Sequence, residues 1–208
     1  MAKQIEGVYD RVLECAKKEF LEKGYKDASL RTIAKEADTS TGSIYTRFKD
    51  KDGLFGAVVE PVVSQVEGIV NDIENEFSSR DAKTQADTMT DYSMESHAEI
   101  IDYIYDNKEI FRLLLSKAHG SSYEHFIDRL VELEENSTID FLKTMGCGSI
   151  LEKPVSREFI HILSTSYCYG MFEPLLHDMT RERAHEFDMM FTKYHIAGFT
   201  SIVEGQKI

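Results

Sequence analysis

The residues from Thr41 to Arg47, TGSIYTR, gather three hydroxyls, a phenol and a guanidinium around a single glycine. Hydroxyl and phenol groups can donate to phosphate oxygens or base edges, an arginine can serve either, and Gly42 lets a backbone come close to DNA. If the segment is helical, Ile44 and Phe48, four residues apart, anchor it on a core and leave Thr41, Ser43, Tyr45, Thr46 and Arg47 largely outward. Each residue alone has a plainer reading. A glycine in a short helix can be a packing or turn accommodation, and an isolated tyrosine is commonly a half-buried packing residue. A short, capped, anchored segment whose one charge is an arginine points instead to nucleic acid.

The elements that must hold this segment follow from apolar periodicity. Ile5, Val8, Tyr9, Val12, Ala16 and Phe20 recur at helical spacing, and Gly24 stands where a left-handed residue would stop the helix. Ser29 can cap a short helix whose Leu30, Ile33, Ala34 and Ala37 form one buried face. Asp38-Thr39 then turns the chain to Ser40 or Thr41 as the next cap. Two short helices joined by a tight turn and braced by a longer one form a helix-turn-helix, which offers its second helix to a major groove.

The whole chain of 208 residues carries a formal charge of −13, which alone would disfavour a polyanionic partner. The distribution of that charge points the other way. Residues 1–60 hold 11 Lys and Arg against 11 Asp and Glu, leaving 13 and 26 of the chain's 24 and 37 for the remainder. A neutral first part and an acidic second part suit a protein of which only the first approaches DNA. With 42% hydrophobic residues, 12 glycines and 3 prolines, the composition favours an all-α fold over many short strands. Cys15, Cys147 and Cys168 form no C-x-x-C pair, so a reducing cytoplasm fits. The N-terminus lacks a signal-peptide pattern and no apolar run reaches membrane-spanning length, which predicts a soluble protein.

The first part resembles the TetR family of bacterial transcriptional repressors. The matching residues are Phe20, Gly24-Tyr25, Thr32-Ile33-Ala34 with Ala37, then Ser40-x-Gly42-x-x-Tyr45-x-x-Phe48-x-x-Lys51-x-x-Leu54, over about residues 8–56. Carried over position by position, the resemblance implies phosphate or groove contacts by Thr32, Thr41, Tyr45 and Lys51, with Gly42 permitting close approach. Arg47 stands where the family usually has His or Tyr, Asp38 replaces a common Gly, Thr39 a common Val and Asp52 a common Glu. Asp38 tolerates the left-handed turn geometry that Gly would supply. The division expected is 1–51 for a DNA-binding domain and 52–208 for an effector-binding and dimerisation domain.

In the second part, Leu54, Phe55, Val58, Val62, Val66, Ile69, Ile73 and Phe77 predict one long linking helix. Pro61 inside it implies a kink or simple curvature. Further helices are expected over about 84–105, 107–118, 122–145, 156–177 and 181–204, about nine in all, with breaks at Ser78–Asp81, Gly120, Gly146–Gly148 with Pro154, and Asp178. Phe159, Leu163, Tyr167, Gly170 and Met171, then Phe187, Phe191, Tyr194, Ala197, Gly198 and Ile202, give the last two helices broad apolar faces. By the resemblance these faces pair with their copies in a homodimer, although they could equally complete the monomer core. A two-fold dimer would read a near-palindrome with half-sites about 34 Å apart.

The seven histidines form no H-x-x-x-H and no sequence-local metal site. No nucleophile elbow, P-loop or dinucleotide fingerprint occurs, so neither an enzyme nor a cofactor is expected. Acidic pairs such as Glu134-Glu135 are read as solvated helix faces. The second part is expected instead to enclose an effector pocket, with Phe111, Leu114, Tyr123, Phe126, His161, Tyr167, Cys168 and Met171 as candidate lining. Its acidic excess is compatible with a cationic effector. Two functions stay open: a DNA-binding repressor released from its operator by a small molecule, and an effector-binding or protein-interaction dimer without useful DNA binding.

Overall fold

The computed structural model describes residues 2–153 and 156–204, with side chains from 7 to 203 within those segments. Ile5 and Pro154 therefore lie outside the described side chains. Among the described residues there are nine α-helices and no strand: α1 (Ala2–Asp27), α2 (Leu30–Glu36), α3 (Thr41–Phe48), α4 (Lys51–Ser78), α5 (Ala82–Asp106), α6 (Lys108–Lys117), α7 (Phe126–Thr144), α8 (Ser156–Leu176) and α9 (Arg181–Glu204). A 3₁₀ turn spans Gly148–Glu152 between α7 and α8.

The chain forms two compact units, residues 1–65 with 107–126, and residues 66–106 with 127–208. The division expected at 51/52 differs from this one. The first half of α4 and all of α6 pack with the N-terminal helices, because their apolar faces complete that core.

In unit 1, Val12, Ala16 and Phe20 of α1 are buried, as are Ile33, Ala34, Ile44, Leu54, Phe55, Val59, Phe111 and Leu113. Phe55 stands edge-on to Phe20 at 5.0 Å and to Tyr25 at 5.2 Å, an arrangement favoured by the ring quadrupoles. Amphipathic α6 lies on α1, fastened by a Lys17–Glu109 ion pair of 2.6 Å and by the Lys117 ammonium donating to the Leu21 carbonyl. Gly24 breaks α1 as predicted, although with φ 77° and ψ 164° rather than left-handed helical angles. That region is open essentially to glycine alone, and one further turn runs through Asp27.

The described chain has one helix, α4, long and apolar enough to cross a membrane by length and composition. Its Leu54, Phe55, Val59 and Val63 are fully buried in protein, as in an ordinary core helix. Pro61 is exposed, and the helix continues past it to Ser78.

Unit 2 is built on α5 lying along α9. Asp81 accepts from the Lys83 and Thr84 amides at 3.1 Å each, capping α5. Arg181 and His185 of α9 meet Asp102 at 3.3 and 2.9 Å, and Arg181 also meets Asp106 at 2.5 Å. Gly170 allows the Phe191 ring to lie against α8, where a Cβ would meet that ring at 2.1 Å. A small core of Leu142, Cys147, Ile150, Ile160 and Val203 closes one end.

Candidate functional site

The recognition segment is held as its sequence requires. Ser29 caps α2, accepting from the Thr32 amide at 3.4 Å, while its own amide donates to Glu19 at 3.0 Å. The helix ends on Asp38 at φ 51°, with Thr39 N–H donating to Ala34 O at 2.9 Å and Asp38 N–H to Lys35 O at 3.3 Å. This is the paired C-terminal bonding of a Schellman turn, with Asp doing what Gly commonly does. Ser40 then caps α3, accepting from the Ser43 amide at 3.1 Å. Ile44 and Phe48 are buried, and Phe48 stacks on Tyr9 of α1 with centroids 5.7 Å apart.

Above these anchors, Gly42, Ser43, Tyr45, Thr46 and Arg47 are exposed and Thr41 is half-buried. Tyr45 is 54% exposed, high for an aromatic, with nothing in the fold requiring it there. A Cβ on Gly42 would meet only the Ser40 hydroxyl, at an ordinary 3.7 Å, so the chain's own packing does not demand a glycine. The hydroxyls are partly committed: Thr46 donates to Gly42 O at 2.9 Å, and the Ser43 and Ser40 hydroxyls lie 2.9 Å apart. Thr46 therefore offers lone pairs rather than its proton. The Arg47 guanidinium carbon lies 4.4 Å from the Tyr9 ring centroid, a stacking that orients its N–H fork.

Two further positions carry restrictions of their own. Lys51 donates to Lys26 O at 2.9 Å and Ala28 O at 3.4 Å, and lies 4.8 Å from the centre of the Tyr25 ring. Two of its three N–H groups are thus engaged in holding the end of α1. Thr32 is half-buried in the first turn of α2. Sequence reasoning missed the passage from α3 to α4. Lys49 has φ 71° and ψ −51°, with Asp50 N–H donating to Phe48 O at 2.9 Å, a γ-turn. Asp50 caps α4 through the Gly53 amide at 2.7 Å, and a Cβ on Gly53 would fall 2.0 Å from Phe48 O. The Asp50-Lys51-Asp52-Gly53 string carried that signal.

Unit 2 holds a partly open cavity of about 450 Å³ whose wall includes Glu74, Phe77, Tyr92, His97, Glu134 and Tyr167. A smaller one of about 40 Å³ is lined by residues that include Glu74, Glu134, Cys168 and Met171. Of the eight pocket candidates, Tyr167, Cys168 and Met171 are brought together here. The other five line neither cavity. Phe111 and Leu114 are buried in unit 1, Phe126 packs 6.3 Å from Phe111, and Tyr123 donates to Glu60 at 2.6 Å. His161 is exposed and pairs with Glu135.

Within the cavity wall, His97 Nδ1 lies 3.2 Å from Asp188 and 3.1 Å from the Thr192 hydroxyl, and its Nε2 lies 3.0 Å from the Tyr167 hydroxyl. Burial pushes the Tyr167 phenol well above its ordinary range, with the Glu134 charge adding to it, and likewise raises the Cys168 thiol. Glu134 corrects the expectation of a solvated face. Its carboxyl lines both cavities, and burial together with the neighbouring Glu74 raises it to about 8. The signal was its spacing, three and four residues after buried Val131 and Leu130.

A capped, apolar-anchored α3 with a polar outer face, set by a tight turn on α2, defines a helix-turn-helix DNA-binding protein. Residues 12–58 match the family model for bacterial regulatory proteins of the tetR family. The uncharacterized HTH-type transcriptional regulator YvkB of Bacillus subtilis (strain 168) is 24% identical over 167 residues, covering 80% of this chain and 82% of that protein. Among solved structures, NalD, the secondary repressor of the MexAB-OprM multidrug efflux pump in Pseudomonas aeruginosa, has the same fold with TM-score 0.59 and 17% identity, covering 94% and 97% of the two chains. A TetR-family regulator from Syntrophomonas wolfei also has TM-score 0.59, with 22% identity over 91% and 94%. Residues 12–58 thus carry a tetR-family helix-turn-helix, and the matched relatives are named as transcriptional regulators.

Proposed function

We propose that the protein is a dimeric repressor that leaves a near-palindromic operator when a small molecule enters the unit 2 cavity. The observation that carries the DNA-binding half is the exposed polar face of α3 above buried Ile44 and Phe48. Thr41, Tyr45 and Arg47 reach phosphates or base edges, Thr32 and Lys51 meet flanking phosphates, and Gly42, Ser43 and Thr46 form the close-approach surface. In this division of labour residues 1–51 read DNA and 52–208 sense and dimerise, within the cytoplasm. The repressor role of NalD supports the direction of control.

Dimerisation is supported by an exposed apolar surface on α8 and α9. Ile162 is 63%, Met190 70% and Tyr194 76% exposed, with Phe159, Tyr169, Leu176, Met189 and Ile202 also open. Such an area is costly to leave in water. Of the interface residues expected from the sequence, Leu163, Tyr167, Gly170, Met171, Phe187 and Phe191 are half-buried or buried, while Phe159, Tyr194, Ala197, Gly198 and Ile202 are exposed. Helix α4 contributes Leu54 and Phe55 to the core of unit 1 and Glu74 to the cavity. Effector binding would act through that helix, limited by the effector's differential affinity for the two states.

The test is binding to duplexes from the gene's own upstream region across salt concentrations. Tight binding to a palindrome that weakens steeply with salt is expected. Equal binding to random duplex would sink the repressor reading. Combined Met190→Glu and Tyr194→Glu should yield monomers in sedimentation, and an unchanged dimer would reject this interface.

A further inference from the structure

The two cavities of unit 2 share Ile73, Glu74, His97, Glu134 and Tyr167. Two of these are carboxylic acids supplied by different helices, α4 and α7. Among the described residues, no lysine or arginine lines either cavity. Among the described residues each acid has one hydroxyl donor, Ser137 to Glu74 and Thr138 to Glu134 over 3.3 Å, and the nearby His97 favours the Glu74 charge. A buried carboxylate is costly unless a charge or several hydrogen bonds meet it. Aromatic rings complete the wall. Phe77 stacks on Tyr92 at 5.4 Å and on Phe141 at 6.2 Å, and Tyr167 stacks on Phe191 at 6.0 Å. The Tyr92 ring already carries the Arg80 guanidinium carbon 4.0 Å from its centroid.

We propose that the effector is an organic cation with an apolar or aromatic body, its charge met by Glu74 and Glu134 and its body by the aromatic wall. This rests on reading the cavity as the effector site. A cavity of about 450 Å³ lies within the usual range for small-molecule sites. A fatty carboxylate would meet two acids and no lysine or arginine. A cation gains both ion pairing and ring faces.

The acid pair also sets how protons move on binding. Burial raises Glu74, and burial with the Glu74 charge raises Glu134 to about 8, so near neutral pH Glu134 holds its proton. When a quaternary cation binds, the Glu134 proton passes to solvent and the carboxylate stays as the counter-ion. No bond in the ligand forms or breaks. The other titratable groups facing the cavities are Tyr92 and His97 of α5, Tyr167 and Cys168 of α8, and Tyr194 and His195 of α9, with Asp188 behind His97. Burial lowers His195, keeping it neutral in the same window, and raises Tyr92, Tyr167 and Cys168, keeping them protonated. Affinity for the cation therefore rises with pH towards 8, by at most about tenfold per unit.

The test is calorimetry on the full chain with decyltrimethylammonium, decanoate and 1-decanol at matched chain length. The quaternary ammonium should bind at least about tenfold tighter than decanoate, as desolvated charges of opposite and like sign require. In buffers of different ionisation enthalpy it should release a substantial fraction of one proton at pH 7, and Glu134→Gln should abolish that release. Decanoate binding as tightly as the ammonium, or no proton release by the parent protein, overturns the proposal without any variant. Ser164→Phe, which fills the cavity, separates the two readings. If decanoate is the better ligand and the filled variant loses it, the cavity remains the site and the cation falls. If no probe binds, or binding ignores the filling, both readings fall.

Discussion

In unit 1 the polar groups of interest stand in solvent, held from beneath by Ile44 and Phe48; in unit 2 they line a partly open cavity and hold one another. Exposed Ser43, Tyr45 and Arg47 cost little to keep and can exchange water for a partner, with Ser43 held by Ser40 and Arg47 oriented on Tyr9. Half-buried Glu74 and Glu134, and the chain of buried His97 and Asp188 with half-buried Tyr167, impose a desolvation cost on the folded state. One region presents chemistry on a rigid support. The other stores unmet polarity whose relief is available to a ligand.

The comparison can be broken first at the support. Phe20→Ala should destabilise unit 1 by about 3–5 kcal/mol, the usual cost of emptying a buried ring's site. Thermal melting would show it, and an unchanged midpoint would mean that the Phe20–Phe55–Tyr25 cluster carries no weight. The next largest effect falls on DNA binding without folding. Arg47→Ala should lower the logarithmic salt slope by about one and weaken operator affinity by ~1–3 kcal/mol if it reads a base. Its melting temperature should hold, because an exposed side chain is being shortened. Ser40→Ala should cost about 1 kcal/mol through the lost cap, read by chemical denaturation.

The smallest effect sharpens the contrast in unit 2. Glu134 has a folded-state pKa raised to about 8, so between its unfolded value and 8 the folded protein binds more protons than the unfolded. Stability contributed by this acid therefore falls as pH rises through that window. From pH 7 to 8, above the range of the lowered His195, ligand-free protein should lose stability relative to Glu134→Gln. Parallel curves for the two proteins would remove Glu134 from its buried role.

Unit 1 was largely legible because its determinants are local. Caps at Ser29 and Ser40, the stop at Gly24, the turn at Asp38 and the pair Ile44 and Phe48 act within a few residues of the structures they set. All nine helices and the break at Gly120 were likewise readable from periodicity and punctuation. The cavity was not, since its wall comes from residues far apart in sequence. Spacing alone gives Phe111 and Tyr167 the same look of an apolar helical position. Only packing sends Phe111 into the core beside α1 and Tyr167 to the cavity. Glu134 was missed because its neighbour Glu135 suggested a charged surface, whereas the helix turns about 100° between them. Lys51 illustrates a further limit: the resemblance implied a phosphate contact, and nothing in the sequence showed that two of its N–H groups also serve the end of α1.

The passage from Lys49 to Gly53 bears on how this chain could vary over evolution. Surface turns ordinarily absorb insertions and deletions. Here the γ-turn, the Asp50 cap and the contact of Gly53 with the Phe48 carbonyl fix the number of residues between two helices. One added residue would rotate the start of α4 by about 100° and carry Leu54 and Phe55 out of the core. The turn is exposed, but its length is a constant of the fold. A single-residue insertion after Asp50 should abolish operator binding, whereas one after Ser79 should be tolerated, and equal tolerance at both would show the count to be free.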